Sequence, residues 1–449
     1  MVSHSSFFCI SAMSREEISL LNKILHKKLE CIQHDNVQIS VQQSDPSSPL
    51  YSANTFENLR LKEELLQALH RMGFKMPSKI QEAALPLLLI EPPQNMIAQS
   101  QSGTGKTAAF VLTMLSRVVP ENHWPQCLCL APTYELAMQI GQVVKEMSHF
   151  MPDVKVQFAV RGVQVRPGME IKEQIIIGTP GKMLDWVLKL KIIDASKIIC
   201  LVFDEADVMI SQQGYQDQSL RLHRELENSG AKYQSLLFSA TYEEKVFDFA
   251  ETIIKDPVII SVRREEQTLA NIKQYYVKCA NREEKYNAVK NLYGGLTIAS
   301  AIIFCYTRKS AEWLAARMRE KDHVVALLHG QMSIEDRARI IREFKDGEYK
   351  ILITTNVCAR GIDASQVTIV INYDPPVTFS ENPQPDYETY LHRIGRTGRF
   401  GKAGIAINFA SDKFSLDVIH KFEEHFGRKI LPLDANDMDQ VEAIENDNY

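Results

Sequence analysis

Two neighbouring carboxylates follow a run of apolar residues near the middle of the chain. The run Ile198–Phe203 is uninterrupted, which predicts a strand buried on both faces of a parallel sheet. Asp204 and Glu205 come directly after it, at the strand end where open α/β sheets bind ligands. Buried carboxylates repel each other, so such a pair is typical of a site for a cation or a reacting water. We predict that Asp204 binds Mg²⁺, directly or through water, and that Glu205 orients and deprotonates an attacking water.

A glycine-rich loop upstream supplies the second part of this predicted site. It follows a strand pattern and opens a helix predicted over Ala108–Val118, the context that a phosphate loop requires. Backbone N–H groups would point at phosphate oxygens, Lys106 would reach the β- and γ-phosphates, and the Thr107 hydroxyl would bind Mg²⁺. Ser100 stands where the strict Walker pattern has glycine. The loop residues predicted to contact the nucleotide are Ser100, Gln101, Ser102, Gly103, Thr104, Gly105, Lys106 and Thr107.

Each of these two patterns has a plainer explanation when it is taken alone. The loop resembles an ordinary glycine-rich turn, and the carboxylates resemble a solvated acidic turn after a strand. Neither explanation accounts for both features in one predicted parallel sheet. The pair therefore indicates a Mg-nucleotide site.

Length and composition limit the class of protein. The 449 residues exceed one ordinary hydrophobic core, which favours two domains and an extension. The net charge of −5 provides no general positive field. A nucleic acid would therefore have to bind in a local groove through directed contacts.

The positions of the cysteines and the composition of the N-terminus indicate the cellular compartment of the protein. The eight cysteines lack the spacing of zinc sites and of redox pairs, and several lie in apolar strand patterns. This predicts a reducing compartment, cytosol or nucleus. The apolar run Phe7–Ile10 is short and follows no Lys or Arg, so we expect no signal peptide and no membrane insertion.

Strand and helix patterns alternate twice along the chain. The first alternation spans residues 55–264 and the second residues 272–449, with a polar linker at 265–271. This rhythm is typical of doubly wound parallel sheets, so we predict two related α/β domains in tandem. The predicted strands lie at 95–98, 126–131, 156–160, 174–178, 198–203, 235–239, 258–262, 274–279, 300–305, 324–328, 350–354, 367–372 and 405–409.

Three segments lie outside this alternation. Residues 14–33 have a capping-box pattern and one apolar stripe, which predicts an amphipathic helix within an N-terminal extension over residues 1–54. The proline-rich stretch Asp374–Asp386 is interpreted as a surface insertion. The acidic end, Asp434–Tyr449, is interpreted as a solvated helix and tail.

The tetrapeptide at Asp204–Asp207 reads Asp-Glu-Ala-Asp and, with the phosphate loop, resembles the DEAD-box family of ATP-dependent RNA helicases. Further motifs follow in the family's order between about Phe56 and Phe426. The resemblance implies two tandem RecA-like doubly wound parallel-sheet domains, with ATP and Mg²⁺ as cofactors and single-stranded RNA as partner. It also implies that Gln81 reads the adenine edge and that Phe56 packs nearby.

The same resemblance extends the nucleotide site into the second domain. Arg396 and Arg399 would face the γ-phosphate as arginine fingers, and Gly361 and Asp363 would add nucleotide contacts. Taken alone, arginines at this i, i+3 spacing also fit a solvated basic helix face that includes Arg393. The implied catalytic residues are Lys106, Asp204, Glu205, Arg396 and Arg399.

Other motifs of the family concern RNA and its coupling to hydrolysis. Tyr134 and Ile334 stand where the family usually has Arg and Gln. Contacts to phosphates and sugars carry no sequence information, whereas contacts to 2′-hydroxyl groups would select RNA over DNA. The implied coupling residues are Asp207, Ser239, Thr241 and His392. The implied RNA contacts are Pro132, Thr133, Arg161, Gly162, Thr179, Pro180 and Gly181 in the first domain, and Thr307, Arg308, Arg337 and Thr354 in the second.

Several stretches resemble one branch of the family, which acts in mRNA export at the cytoplasmic face of nuclear pores. Among them are Glu91–Asn95, Pro132–Ala137 and Thr354–Arg360. The branch implies mRNA, a nucleoporin on the first domain and an inositol-phosphate-dependent activator on the second. It implies cytoplasm and nucleus as locations, and it includes a germ-cell paralogue that these stretches do not separate from the general form.

We therefore expect a monomeric RNA-dependent ATPase and RNA helicase that remodels mRNA–protein complexes during export. ATP would favour closure of the two domains around single-stranded RNA. One alternative is an ATP-gated RNA clamp or scaffold with little turnover, acting in translation or germ-cell mRNA storage. A DNA helicase is a third hypothesis.

The branch also implies that the helix near residues 14–30 inhibits the ATPase by lying in the interdomain cleft. Deletion of residues 1–50 should then raise the basal rate of ATP hydrolysis in the absence of RNA. A truncated chain with unchanged basal and RNA-stimulated rates would disprove this inhibition.

Overall fold

The computed structural model describes residues 39–42, 55–99, 104–211, 214–240, 244–262, 271–296, 300–356, 366–398 and 403–446. These residues form two compact units, one on each side of residues 263–270. The helix predicted over residues 14–33 and all but the last residue of the predicted linker lie outside the described ranges. Among the described residues, no helix has the length and apolarity needed to cross a bilayer.

The first unit contains an eight-stranded sheet. Its strands are β1 (Ile39–Gln42), β2 (Met96–Gln99), β3 (Cys127–Leu130), β4 (Val156–Ala159), β5 (Ile175–Gly178), β6 (Cys200–Phe203), β7 (Gln234–Ser239) and β8 (Val258–Val262). They lie in the order β1-β8-β2-β7-β6-β3-β5-β4, and all neighbours are parallel except β1 and β8. The seven predicted strands are confirmed, with ends that differ by no more than two residues.

Strand β1 was not predicted, and it lies in the segment assigned to the N-terminal extension. It pairs antiparallel with β8, from Ile39 opposite Val262 to Gln42 opposite Ile259. This part of the predicted extension therefore belongs to the first sheet. A truncation that removes only the extension has to end before Ile39.

Helices cover both faces of the first sheet. They are α1 (Glu63–Arg71), α2 (Lys79–Leu88), α3 (Lys106–Arg117), α4 (Tyr134–Met147), α5 (Pro180–Leu184), α6 (Ala206–Ser211), α7 (Tyr215–Asn228) and α8 (Glu244–Ile253). Short helical turns also occur at Glu57–Leu59, Asp185–Lys189 and Ala195–Lys197. Strands β2, β3, β5, β6 and β7 are buried on both sides, and two apolar clusters fill the spaces between sheet and helices. This packing explains why the strands read as continuous apolar runs.

The second unit contains a seven-stranded sheet in which all neighbours are parallel. Its strands are β9 (Ile272–Lys278), β10 (Ala301–Cys305), β11 (Val325–Leu328), β12 (Ile351–Thr355), β13 (Ile369–Asn372), β14 (Gly404–Ala410) and β15 (Leu431–Pro432), in the order β11-β12-β10-β13-β14-β9-β15. Its helices are α9 (Arg282–Gly295), α10 (Arg308–Arg319), α11 (Ile334–Lys345), α12 (Tyr387–Ile394), α13 (Lys413–Phe426) and α14 (Met438–Asn446). The six predicted strands are present, and the two-residue strand β15 was missed. Two α/β units with parallel sheets are thus confirmed.

The acidic C-terminal segment is not fully solvated, which corrects the prediction for Asp434–Tyr449. Helix α14 buries Val441 and Ile444 in the core of the second unit. Gly295 in α9 permits this approach, because a Cβ there would lie 2.7 Å from a Val441 methyl. The acidic side chains of Asp439 and Glu442 on this helix are exposed.

Truncation of Ile444 to Ala should therefore destabilise the second unit by about 2–5 kcal/mol, because it leaves a cavity in that core. Hydrogen exchange of α9 and β9 peptides measures this effect separately from the first unit. The exposed change Glu442→Gln serves as the control and should alter stability by less than about 0.5 kcal/mol. Equal protection in Ile444→Ala and the control would show that α14 does not stabilise the unit.

Candidate functional site

Three neighbouring strands of the first sheet bring the predicted nucleotide residues to one edge. Strands β2, β7 and β6 are adjacent and parallel, with Gln99 opposite Ser239 and Leu237 opposite Phe203. The loop before α3, the end of β7 and the residue Asp204 therefore follow carboxyl ends on the same side of the sheet. This is the edge at which open α/β sheets bind ligands.

The two carboxylates at the end of β6 are buried. Asp204 is 4% exposed and Glu205 is 8% exposed. Burial and, secondarily, the charge of Glu205 raise the pKa of Asp204 to about 7, although the Lys106 ammonium opposes the shift. The Glu205 N–H donates a hydrogen bond of 3.0 Å to Asp204 Oδ1. A carboxylate in this position gains from a nearby cation, which replaces the solvation that burial removes.

Glu205 carries two further signs of a ligand site. Its backbone is left-handed, with φ of 51°, a conformation that is strained for a residue other than glycine. Its Oε2 atom is buried and has no hydrogen-bond partner among the described residues. Native proteins rarely leave a buried polar atom unpaired, and the exceptions cluster where a water, an ion or a substrate binds.

Helix α3 begins at Lys106, two residues before its predicted start. Gly105 precedes it with φ of +99°, a conformation that favours glycine. Lys106 is buried at the start of the helix, and Thr104 and Thr107 are half-buried around it. The remaining loop residues of the prediction, Ser100, Gln101, Ser102 and Gly103, lie outside the described residues.

Gln81 links this loop to α2. Its Nε2 donates a hydrogen bond of 3.0 Å to the Gly105 carbonyl, and its Oε1 accepts one of 3.0 Å from the Ser78 N–H. The same Gly105 carbonyl accepts the Ala109 N–H at 3.2 Å, the first hydrogen bond of α3. An amide side chain has a second N–H and a second lone pair, so Gln81 keeps the capacity to contact adenine. The contact with Gly105 was not predicted, since nothing in the sequence relates residues so far apart.

Phe56 lies deeper than expected for a residue that contacts adenine. It is 3% exposed in the core of the first unit and packs edge-to-face on Phe74, with ring centroids 6.2 Å apart. Its role beside adenine stays a prediction.

The predicted coupling residues and arginine fingers are partly described. Asp207 on α6 and Ser239 at the end of β7 are buried. In the second unit, Arg396 Nε donates a hydrogen bond of 3.0 Å to the carbonyl oxygen of His392. Thr241 and Arg399 of these two sets, and the predicted nucleotide contacts Gly361 and Asp363, lie outside the described residues.

Arg393 is a buried structural residue rather than part of a solvated basic face. Its Nη1 donates hydrogen bonds of 2.9 Å to Asn372 Oδ1 and 2.8 Å to the Asp374 carbonyl, and its Nε donates one of 2.9 Å to Asn356 Oδ1. Asn372 in turn donates to Asn408 Oδ1 at 2.8 Å. The network ties α12 to β13 and β14. The i, i+3 spacing gave no sign of this burial.

The predicted RNA contacts of the first unit follow three further strands of the same sheet. Thr133, Arg161 and Thr179 come after β3, β4 and β5, which are consecutive in the sheet order. Arg161 is exposed, and the two threonines are half-buried. Thr133 Oγ1 accepts the Leu136 N–H at 3.2 Å, which leaves its hydroxyl hydrogen free to bind a phosphate oxygen. The structure thus gathers these residues along one side of the unit.

The glycines and prolines of these loops shape the backbone. Gly162 has φ of +97° and open space where a Cβ would lie. Gly181 packs against Gln218, with only 3.0 Å between an ideal Cβ and the Gln218 amide oxygen. Pro132 and Pro180 are buried, and their contact with RNA stays a prediction.

The predicted RNA contacts of the second unit differ in their exposure to solvent. Thr307 is exposed at the start of α10, and Arg308 and Arg337 are half-buried on their helices. Thr354 is a correction, because it is fully buried within β12 and its hydroxyl donates to the Thr355 carbonyl at 3.2 Å. With 0% of its surface exposed, this side chain has no access to a ligand on the surface.

Two family models match the chain. The model of the DEAD/DEAH box helicases matches residues 78–249, and that of the helicase conserved C-terminal domain matches residues 284–401. Among curated relatives, the ATP-dependent RNA helicase DDX19A of Mus musculus is 58% identical over 428 residues, which are 95% of this chain and 88% of that protein. The ATP-dependent RNA helicase DDX25 of Mus musculus is also 58% identical over 428 residues, which are 95% of this chain and 86% of that protein.

Solved structures of a yeast protein are similar to the chain. S. cerevisiae Dbp5 bound to RNA and ADP BeF3 is 44% identical, with a TM-score of 0.82 over 88% of this chain and 99% of that one. A variant of the same protein bound to Nup159, a Gle1 variant, IP6 and ADP is 43% identical, with a TM-score of 0.64 over 86% of this chain and 98% of that one.

The link between Gln81 and Gly105 generates a test that needs no nucleotide. In Gln81→Glu, a carboxylate oxygen replaces the donor that faces the Gly105 carbonyl, so a hydrogen bond is lost and two oxygen acceptors face each other, at a cost of about 1–3 kcal/mol. Hydrogen exchange at the Ala109 amide should therefore accelerate by about tenfold or more.

The exposed change Gln67→Glu on α1 is the matched control and should leave this amide unaltered. Unchanged exchange at Ala109 in Gln81→Glu would show that Gln81 does not hold the start of α3.

Proposed function

The chain belongs to the DEAD/DEAH box helicase family, and we propose that it is an ATP-dependent RNA helicase that remodels mRNA–protein complexes. The observation that carries the chemistry is the buried pair Asp204 and Glu205, where Lys106 is the compensating cation that acts on Asp204 among the described residues. One oxygen of the pair, Glu205 Oε2, is buried without a partner among the described residues. Such a pair is suited to a Mg-nucleotide and to a reacting water.

The residues present fit Mg²⁺ bound with ATP. Asp204 offers a buried carboxylate whose pKa is raised by burial, and a divalent cation would favour its ionised form. Asp204 and Thr107 are proposed to hold the ion. Bound Mg²⁺ neutralises charge that develops on the transferred phosphate.

The side chains around the phosphates have separate tasks in this proposal. Lys106, at the start of α3, binds phosphate oxygens together with backbone N–H groups of the loop. Glu205 holds the attacking water and accepts its proton, for which its strained backbone and unpaired oxygen preset the carboxylate. Arg396 and Arg399 are proposed to stabilise the charge of the γ-phosphate, as arginine fingers do.

Single-stranded RNA is the proposed nucleic acid. Arg161, Thr133 and Thr179 on the first unit and Thr307 and Arg308 on the second would contact its phosphates and sugars. Their backbone-directed chemistry would make binding insensitive to sequence. The solved RNA complex of S. cerevisiae Dbp5 supports this choice of nucleic acid over DNA.

The same relatives support a proposal for the binding partners and the cellular location of the protein. A Dbp5 variant has been solved with Nup159, a Gle1 variant and IP6, which supports a nucleoporin and an inositol-phosphate-dependent activator as partners of this chain. We therefore propose a role in mRNA export at the cytoplasmic face of nuclear pores, with the protein in both cytoplasm and nucleus. A monomer is proposed as the active form.

Substitution Glu205→Gln tests the proposed chemistry. It keeps the size of the side chain and removes the base, so single-turnover ATP hydrolysis in the presence of RNA should fall by about 10²–10⁴-fold. Binding of the Mg-nucleotide and of RNA should persist. The exposed change Glu251→Gln on α8 should leave the rate unaltered.

The wild-type rates separate the remaining hypotheses. Stimulation by RNA and not by DNA of equal sequence supports the helicase, and RNA binding without hydrolysis would instead identify an ATP-gated clamp. An undiminished rate in Glu205→Gln would mean that the water is activated elsewhere.

A further inference from the structure

The second unit carries an exposed aromatic pair next to one of its predicted RNA contacts. The rings of Tyr306 and Phe379 are stacked, with centroids 5.0 Å apart and an interplanar angle of 22°. Phe379 nevertheless remains 77% exposed, the highest value among the large hydrophobic residues that the structure describes as exposed. An aromatic ring exposed to water lacks the favourable free energy that its burial would contribute. An ordered pair of this kind therefore indicates a ligand that covers the ring.

Hydrogen bonds hold both rings in place. Asp374 accepts the Tyr306 N–H at 3.0 Å and pairs with the Lys285 ammonium at 2.8 Å, which joins the ends of β10 and β13. The Thr378 N–H donates to the Gln384 carbonyl at 2.8 Å and closes the loop in which Phe379 is the next residue. Phe379 is therefore attached to the closed base of the loop and is preorganised for binding.

The pair adjoins residues suited to a nucleic-acid backbone. Tyr306 directly precedes Thr307 and Arg308 at the carboxyl end of β10, and the next residue, Lys309, is exposed. Thr307 Oγ1 accepts the Ser310 N–H at 3.1 Å and donates its hydroxyl hydrogen to Ser310 Oγ at 3.0 Å, so a phosphate oxygen would take the place of Ser310 Oγ as acceptor. Aromatic rings beside cations are the usual composition of a surface that binds single-stranded nucleic acid, because the cations follow the backbone and the rings stack on bases.

We propose that Phe379, backed by Tyr306, is a stacking platform for one base of the RNA bound at Thr307 and Arg308. The proposal deepens the proposed function and depends on it, since it concerns the same RNA. The exposed Glu381 on the loop repels phosphates, which directs the backbone to the side of Arg308 and Lys309 and leaves the ring for a base. Every base has a π-face, so the platform adds affinity without sequence preference.

Affinity for single-stranded oligouridine, measured on the full chain with a non-hydrolysable ATP analogue, tests the platform. Phe379→Ala should weaken binding by about tenfold, Phe379→Leu should weaken it similarly, and Phe379→Trp should retain it. Phe414→Ala removes an exposed ring elsewhere on the second unit and should have no effect. The leucine variant keeps an apolar tip, so the result does not depend on how the loop tolerates alanine.

A fluorescent base shows the stacking directly. A single 2-aminopurine moved along the RNA should be quenched by the wild-type chain at one position, and Phe379→Ala should restore its fluorescence there. Unchanged affinity and quenching in Phe379→Ala would overturn the platform and leave the pair to another partner, such as a peptide. Failure of the wild-type chain to bind RNA at all would instead overturn the proposed function.

Discussion

The burial of two adjacent carboxylates at the end of β6 is the constraint on which the first unit depends. Parallel pairing of β6, β7 and β2 brings Asp204, Ser239 and the loop before Lys106 to one edge, and apolar layers on both faces of the sheet keep water away from them. The Lys106 charge offsets only part of the cost, and the pKa of Asp204 rises to about 7 as a result. In the folded chain, the negative charge of the two carboxylates is thus only partly compensated by the helices and strands. In our proposal a Mg-nucleotide supplies the missing charge, and Glu205, whose Oε2 has no hydrogen-bond partner among the described residues, acts on water.

Buried polar groups also position the loops of the second unit. Arg393 and Asn372 tie α12 to the central strands; this helix carries the predicted residue His392 and ends two residues before Arg396. Asp374 joins two neighbouring strand ends through backbone and side-chain contacts. In both units the apolar core fixes the sheet, while a few fully bonded polar side chains fix the loops at its edge. Such networks are sensitive to loss of any member, because an unpaired buried group costs more than its bond contributed.

Apolar runs in the sequence were enough to predict thirteen strands, since parallel strands buried on both faces carry apolar residues at successive positions. They did not predict strand Ile39–Gln42, which joins the sheet by pairing with a strand that is distant in the sequence. They also did not predict the two-residue strand Leu431–Pro432. The acidic composition of the C-terminal segment concealed Val441 and Ile444, two buried residues in a polar context. The carboxylates of the candidate site were apparent from their position after a strand. The burial of Arg393 was not, because its hydrogen-bond partners come from two separate segments, at the ends of β12 and β13.

Proton release on binding of Mg-ADP measures the central electrostatic claim most directly. Calorimetry in buffers of different ionisation heat gives the number of protons released, and Asp204→Asn gives the contribution of other groups. With a pKa of about 7, Asp204 is mostly protonated in the free chain at about pH 6 and mostly ionised at about pH 8. Binding that ionises it should therefore release nearly one proton more from the wild type than from the variant at the lower pH, and little more at the higher pH. Equal release by the two proteins at both pH values would contradict the account.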